Sequence, residues 1–215
     1  MEVELASRRS VLSLGLSIPA SMIFSSSASA ALQCTPYNAA GIQQCVVGLP
    51  SFAIRSAQQA CQNWCWAACI QSIFQTRGYI VSQQEIVSRL YGNPNACRTA
   101  TGSQIVNTIN GLWQSNDGRR FSAQAQPLID MSIGITNIGA AAAVANELNN
   151  NFPLINGALG HATVLTAMTY FRDVYGRGMV TNVTVRDPWP GSLHRRSLSA
   201  QEAAGTFFIA RVRVS

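Results

Sequence analysis

The chain has 215 residues, with 15 basic and 9 acidic side chains and a formal charge of +6. That length supports one well-buried core, with room for two lobes around a cleft, and excludes two independent domains. Every basic side chain is arginine, since the sequence has no lysine, and apart from short pairs such as Arg119-Arg120 and Arg195-Arg196 they are scattered; no polybasic run marks a nucleic-acid surface.

The first thirty residues read as an export signal outside the core. They carry Arg8-Arg9, an apolar run of 14 residues from Val11 to Phe24 and the small-residue stretch Ala28-Ser29-Ala30. The run is too short to cross a bilayer core of about 30 Å as a helix, so no membrane span is expected. Ser7-Arg8-Arg9-Ser10-Val11-Leu12 is twin-arginine-like, with Val11 in place of the usual Phe. Removing 1–30 takes away Arg8, Arg9, Glu2 and Glu4, so the mature chain keeps the +6 charge.

Residues 31–55 contain Cys34, Cys45, Pro36 and Pro50 without a long amphipathic period, and read as an irregular or short-strand leader. Asn63 to Gln75 is apolar at Trp64, Trp66, Ala67, Ala68, Ile70 and Phe74 and predicts a buried helix ending before Gly78, with Cys65 in its first turn. Ser82-Gln83-Gln84-Glu85 is a capping box that opens a second helix, closed by Gly92. Ser103 to Leu112 predicts a third helix and Ala140 to Leu148 a fourth. The second half turns strand-like at Pro153–Asn156, His161–Phe171, Met179–Val185 and Phe207–Val214, with a short helix from Ser199-Ala200-Gln201-Glu202. Helices first and an antiparallel sheet later predict an α+β fold with a cleft between the two parts.

Six cysteines in an exported chain favour disulfides. Cys34 and Cys45 are the most economical pair. Cys61, Cys65 and Cys69 are spaced by four, but a soft metal site needs four ligands and the only histidines, His161 and His194, lie far away in sequence; no metal or cofactor is expected. With the helix beginning near Cys65, Cys61 can reach Cys97 in the following loop. Cys69 is then a buried thiol one turn into the helix, and Cys65 is left unpaired.

A cysteine at a helix N-terminus feels the positive end of the helix dipole, which favours the thiolate, and a Cys, a His and an orienting group are the minimum set for acyl transfer. His161 opens a strand in NGALGHATVLTAM, whereas His194, beside Arg195 and Arg196, reads as a surface residue. Asp187 ends a strand at VTVRDPWPG, where prolines fix the backbone and a carboxylate can hold an imidazole in one tautomer. Gln58, Gln59 and Gln62 are all placed to supply an oxyanion donor upstream of Cys65, and spacing alone does not choose among them.

The order of QACQNWCWAA, GHATVLT and VRDPWPG resembles papain-like cysteine proteases, in particular the compact bacterial group that includes the avirulence-type proteases of plant pathogens. The resemblance covers most of the mature chain, 31–215, in motif order, and its specific part is three short blocks. It implies a papain-like fold, with the nucleophile helix packed on the sheet. It also implies Cys65 as nucleophile, His161 as general base and acid, Asp187 as orienting residue, Gln59 as oxyanion donor and a Cys61–Cys97 disulfide. Asn63-Trp64 stands where papain has small residues, which places Trp64 as a candidate wall of the substrate cleft. LPSFAIR faintly resembles a self-processing site of the avirulence-type group, without its final tryptophan and glycine.

The expected function is an exported cysteine peptidase, secreted or periplasmic and monomeric, acting on a protein or peptide substrate. A peptidoglycan amidase, deamidase or transglutaminase-like toxin would use the same residues, and a catalytically idle disulfide-rich binding protein would have Cys65 paired. The missing lysines fit a genomic composition bias; the alternative is a bacterial effector that avoids lysine tagging in a host cell.

Overall fold

The computed structural model describes residues 32–49, 56–135 and 139–215. The expected export signal and the proposed processing site near Phe52 lie outside them. Among the described residues nine strands form one antiparallel sheet: β1 (Gln33–Cys34), β2 (Ile42–Gly48), β3 (Gly111–Gln114), β4 (Arg120–Asp130), β5 (Leu154–Ala158), β6 (His161–Asp173), β7 (Gly178–Arg186), β8 (Arg195–Ser197) and β9 (Thr206–Val214). Five α-helices among the described residues accompany it: α1 (Cys65–Thr76), α2 (Gln83–Tyr91), α3 (Gly102–Ile109), α4 (Ala140–Asn149) and α5 (Ala200–Ala204). The α+β class predicted from the sequence is the class observed.

The sheet is organised by β6, whose 13 residues are long enough to serve several partners. One edge pairs with β5 over His161–Leu165 and with β2 over Ala167–Asp173, while β7 runs along the other edge. From β5 the sheet continues through β9, β4 and β3. Adjacent strand residues point to opposite faces. Phe208 of β9 therefore meets Gly102 of α3, while its neighbour Ile209 lines a cavity with Val144 of α4, so α3 and α4 cover opposite faces.

Helix α1 packs on β5 and β6 with nine of its twelve residues buried, which explains why its apolar residues run almost all the way round. Ser82 and Glu85 form the expected capping box of α2, and Gly92 ends it at φ 67° in the left-handed region. Phe74 of α1 joins the helices to β3 and β4, its ring centroid 5.1 Å from Trp113 and 5.0 Å from Phe121.

Three expectations need correction. Of the two readings of the leader the short-strand one holds and the irregular one does not: β2 is a seven-residue sheet strand whose inward residues Gln43, Cys45 and Val47 are buried. Helix α3 stops at Ile109, and Leu112 sits exposed in β3. Asn110 accepts the Ala125 amide and its carbonyl takes Arg89, which holds the chain in an extended conformation after the helix. β3 and β4 are not foreseen at all: β4 puts small alanines, Ala123 and Ala125, at inward positions, and carries Pro127 where its register with β9 shifts.

Candidate active site

Three separate elements bring Cys65, His161 and Asp187 together. Cys65 is the first residue of α1, which has no side-chain N-cap, so the first-turn amides are not spent on a local oxygen. His161 opens β6 after a two-residue hairpin from β5, in which Leu159 and Gly160 have φ of 51° and 79°. Asp187 follows the last residue of β7, its N–H donating to the His194 carbonyl at 3.3 Å. His194 itself is exposed, as its sequence setting suggests.

His161 Nε2 lies 2.8 Å from Asp187 Oδ1, and His161 and Cys65 line the same two cavities. The Trp189 backbone N–H donates to the same Oδ1 at 2.9 Å, and the Trp189 ring stands edge-on to the imidazole, 6.3 Å between centroids.

The electrostatics follow from these contacts. Burial alone would raise the Cys65 thiol, but hydrogen bonds to His161 and the Ala162 backbone, the His161 charge and the Trp66 backbone outweigh it and bring the pKa below the ordinary thiol value. Burial alone would lower His161, but its hydrogen bonds to Asp187 and Cys65, reinforced by their charges, raise it to about 9. Burial opposes ionisation of Asp187, yet His161, the Trp189 amide and Arg196 together hold it at about 2. The three groups therefore favour a thiolate, an imidazolium and a carboxylate. Cys69, fully buried one turn along, is pushed well above the thiol range by burial and by the charges of Cys65 and Asp187.

The cysteine pairs are Cys34–Cys45, joining β1 to β2 with Cα atoms 4.1 Å apart, and Cys61–Cys97, with Cα atoms 6.0 Å apart. Cys65 and Cys69 form no disulfide, whereas Cys61, the third of the cysteines spaced by four, is paired with Cys97. Side chains at the entry to α1 also hold the loop that carries Cys97. Asn63 donates to the Cys97 carbonyl at 3.0 Å, Trp64 to Ala96 at 2.9 Å and Trp66 to Arg98 at 3.1 Å.

Trp64 is therefore not where a cleft wall would put it. It is buried with its indole N–H spent on the loop, because the helix entry turns its ring inward. Trp66 and Trp189 face the cavities instead. A cavity of about 630 Å³ opens beside Cys65 and His161, with Trp66, Tyr91, Gly102 and Phe208 in its lining. A second, of about 300 Å³, shares Cys65, Thr99, Gly160 and His161 with it and is lined also by Gln62, Asn63, Asp187 and Trp189.

Gln59 is buried, and its amide nitrogen donates to the carbonyls of Cys61 at 3.1 Å and Gln62 at 2.8 Å. Its backbone N–H donates to Pro188 at 2.9 Å, which ties the segment before α1 to the Asp187 loop. Gln58 is exposed, and Gln62, also exposed, borders the smaller cavity. Sequence reasoning passed over Trp189, Arg196 and Glu202. Asp-Pro-Trp and the Ser199 capping box were visible as local signals, but their convergence on His161 and Asp187 depends on how β7, β8 and α5 fold back.

Compared with known proteins, the chain matches no family model and no curated relative. It is similar to the crystal structure of UfSP from C. elegans, at 15% identity and a TM-score of 0.45, over 86% of this chain and 37% of that one. The chain thus spans well under half the length of that protein.

Proposed function

We propose that the chain is an exported, papain-like cysteine peptidase that hydrolyses peptide bonds in a protein or peptide substrate, working as a monomer in the periplasm or outside the cell. The observation that carries the reading is the imidazole of His161, 2.8 Å from the Asp187 carboxylate and lining the same two cavities as Cys65. Export is supported by the leader sequence and by two cysteine pairs at bonding positions.

In this mechanism the Cys65 thiolate attacks the scissile carbonyl carbon, and the carbonyl π electrons move to oxygen. The Cys65 backbone N–H and a glutamine amide stabilise that oxyanion. Gln59 is the proposed donor, and it must release the Cys61 or Gln62 carbonyl to act. The His161 imidazolium gives its proton to the leaving nitrogen as the carbon–nitrogen bond breaks, leaving a thioester on Cys65. The now neutral His161 takes a proton from water, whose oxygen attacks the thioester, and Cys65 leaves again as thiolate. Asp187 keeps the imidazole oriented and its cationic form stabilised through both halves.

Incubation with a peptide library, read by mass spectrometry, tests the assignment. Cleavage with incorporation of one solvent oxygen at each new carboxyl terminus is expected from the wild type and not from Cys65→Ala. Glutamine deamidation or amine transfer without chain cleavage would replace the peptidase with an amidase or transferase at the same centre. N-terminal sequencing of the exported product tests the leader, with Ala31 expected first.

A further inference from the structure

We propose that Arg196 is a positioning residue of this centre, held by Glu202 so that its guanidinium fixes the second oxygen of Asp187. This rests on the reading of Cys65, His161 and Asp187 as the catalytic set.

The two oxygens of Asp187 have different partners. Oδ1 receives His161 Nε2 and the Trp189 amide, and Oδ2 receives Arg196 Nε at 2.7 Å. With Oδ1 alone held, the carboxylate could pivot about its own axis and take the imidazole with it; a second bond on Oδ2 removes that freedom. Asp187 is almost wholly buried, with its side chain 5% exposed, and Arg196 is 23% exposed, so the contact is not a solvent-screened surface pair.

Arg196 is itself fixed. Its Nη1 and Nη2 donate to the two oxygens of Glu202 at 2.8 and 2.6 Å, while Nε faces the other way toward Asp187. Glu202 is held by the N-cap of α5: the Ser199 N–H donates to its carboxylate at 2.8 Å, and its own N–H donates to the Ser199 hydroxyl at 3.2 Å. Only a planar fork with donors on different edges can bridge two carboxylates in this way; an ammonium supplies the charge without the geometry. The relay runs from α5 through β8 to the loop after β7, and from there to β6 and α1.

The charge arrangement also matters. The titratable and charged groups around Asp187 are Cys65 and Cys69 from α1, His161 from β6, Arg186 beside it in the chain, His194 and Arg195 from the following loop and β8, Arg196, and Glu202 behind it. Among them Arg196 and His161 are the cations that touch the carboxylate. Arg196 therefore adds to His161 and the Trp189 amide in keeping Asp187 ionised.

The test is the rate of Cys65 alkylation by iodoacetamide as a function of pH, with peptide mapping to separate it from Cys69, beside kcat and KM on a cleaved peptide. Arg196→Gln is expected to move the acid-side inflection of alkylation upward, because an Asp187 free to pivot supports the His161 cation less and so the Cys65 thiolate less; on the carboxylate itself an adjacent guanidinium is worth about one pH unit or more. It should also lower kcat by about 10- to 100-fold, the range that outer partners of an oriented histidine carry in metal sites, with KM little changed. Arg196→Lys is expected to keep the inflection near the wild-type position while kcat still falls, separating charge from geometry.

If Arg196→Gln does not give a cooperative melt, Arg196→Lys and Glu202→Gln carry the decision through the same kcat measurement. Lower kcat with an unmoved inflection in Arg196→Gln would reduce Arg196 to a stabilising contact and overturn the proposal, as would wild-type kcat in both Arg196→Lys and Glu202→Gln. Alkylation needs no substrate, so a shifted inflection in a protein that cleaves no peptide would uphold the positioning role while removing the peptidase reading.

Discussion

His161 and Asp187 are 26 residues apart in sequence, yet Nε2 of one lies 2.8 Å from Oδ1 of the other. The contact forms because β6 and β7 pair antiparallel, with Val164 opposite Arg186, so the first residue of one strand and the residue after the other meet at the same end of the sheet. Helix α1, packed on β6, brings Cys65 to that end.

Substitutions at the three positions should differ in severity. Removal of the nucleophile or base of a serine triad costs about 10⁶-fold in kcat and removal of the aspartate about 10⁴-fold. Cys65→Ala and His161→Ala are expected to show the larger loss and Asp187→Ala the smaller one, measured as kcat on one peptide with folding checked by circular dichroism.

The pH dependence follows from the shifts. The active ion pair requires the His161 proton, so kcat/KM should fall on the alkaline side as pH rises through about 9. On the acid side it should fall only below the ordinary thiol range, because the Cys65 pKa is lowered. Stability obeys the same signs. The raised His161 contributes stability that is complete below about 6.5, its usual pKa, and is lost as pH rises through about 9. The depressed Asp187 contributes stability present above about 3.9 and lost as pH falls through about 2. Thermal midpoints of wild type and Asp187→Asn across pH 2 to 10, about the span of these shifts, should converge at the acid end; parallel curves throughout would contradict this linkage.

The oxyanion donor can be assigned by a pair of variants. Gln59→Ala is expected to reduce kcat by about 100- to 1000-fold with little change in KM, and Gln62→Ala to leave kcat within a few fold. The reverse ranking would move the role to Gln62, which borders the smaller cavity while Gln59 is bonded to carbonyls.

The entry to α1 should be sensitive to the loop it holds. The Cys61–Cys97 bridge spans 36 residues, and chain-entropy reasoning gives about 4 kcal/mol for closing a loop of that size. Cys97→Ser with Cys61→Ser is expected to lower stability in urea by an amount of that order. Trp64→Phe keeps the buried ring but loses the bond to the Ala96 carbonyl, and is expected to cost about 1 kcal/mol. A Trp64→Phe variant of unchanged stability but altered peptide preference would restore Trp64 as a wall of the cleft.

Local signals in the sequence located most of the architecture. The Ser82 and Ser199 capping boxes, the apolar run after Cys65 and the alternation after His161 each have a physical cause within a few residues, and each appears close to its expected bounds. β3 and β4 were hidden because Ala123 and Ala125 give little hydrophobic alternation and Pro127 argues against a strand. Whether a tryptophan at a helix entry faces a cleft or a loop is not legible locally, because the partner that holds Trp64 is the Ala96 carbonyl, 32 residues on. Arg196 was invisible for the same reason. Its two carboxylates come from a strand end and a helix cap, and nothing in the local pattern Arg195-Arg196 says that only the second arginine points inward.

The central claim, an activated Cys65 paired with His161, is tested most directly by labelling with the epoxide inhibitor E-64 at neutral pH, followed by peptide mapping. The account predicts one adduct, on Cys65, lost in Cys65→Ala and strongly slowed in His161→Ala, with Cys69 unmodified. An unlabelled wild type, or labelling that persists in Cys65→Ala, would contradict it.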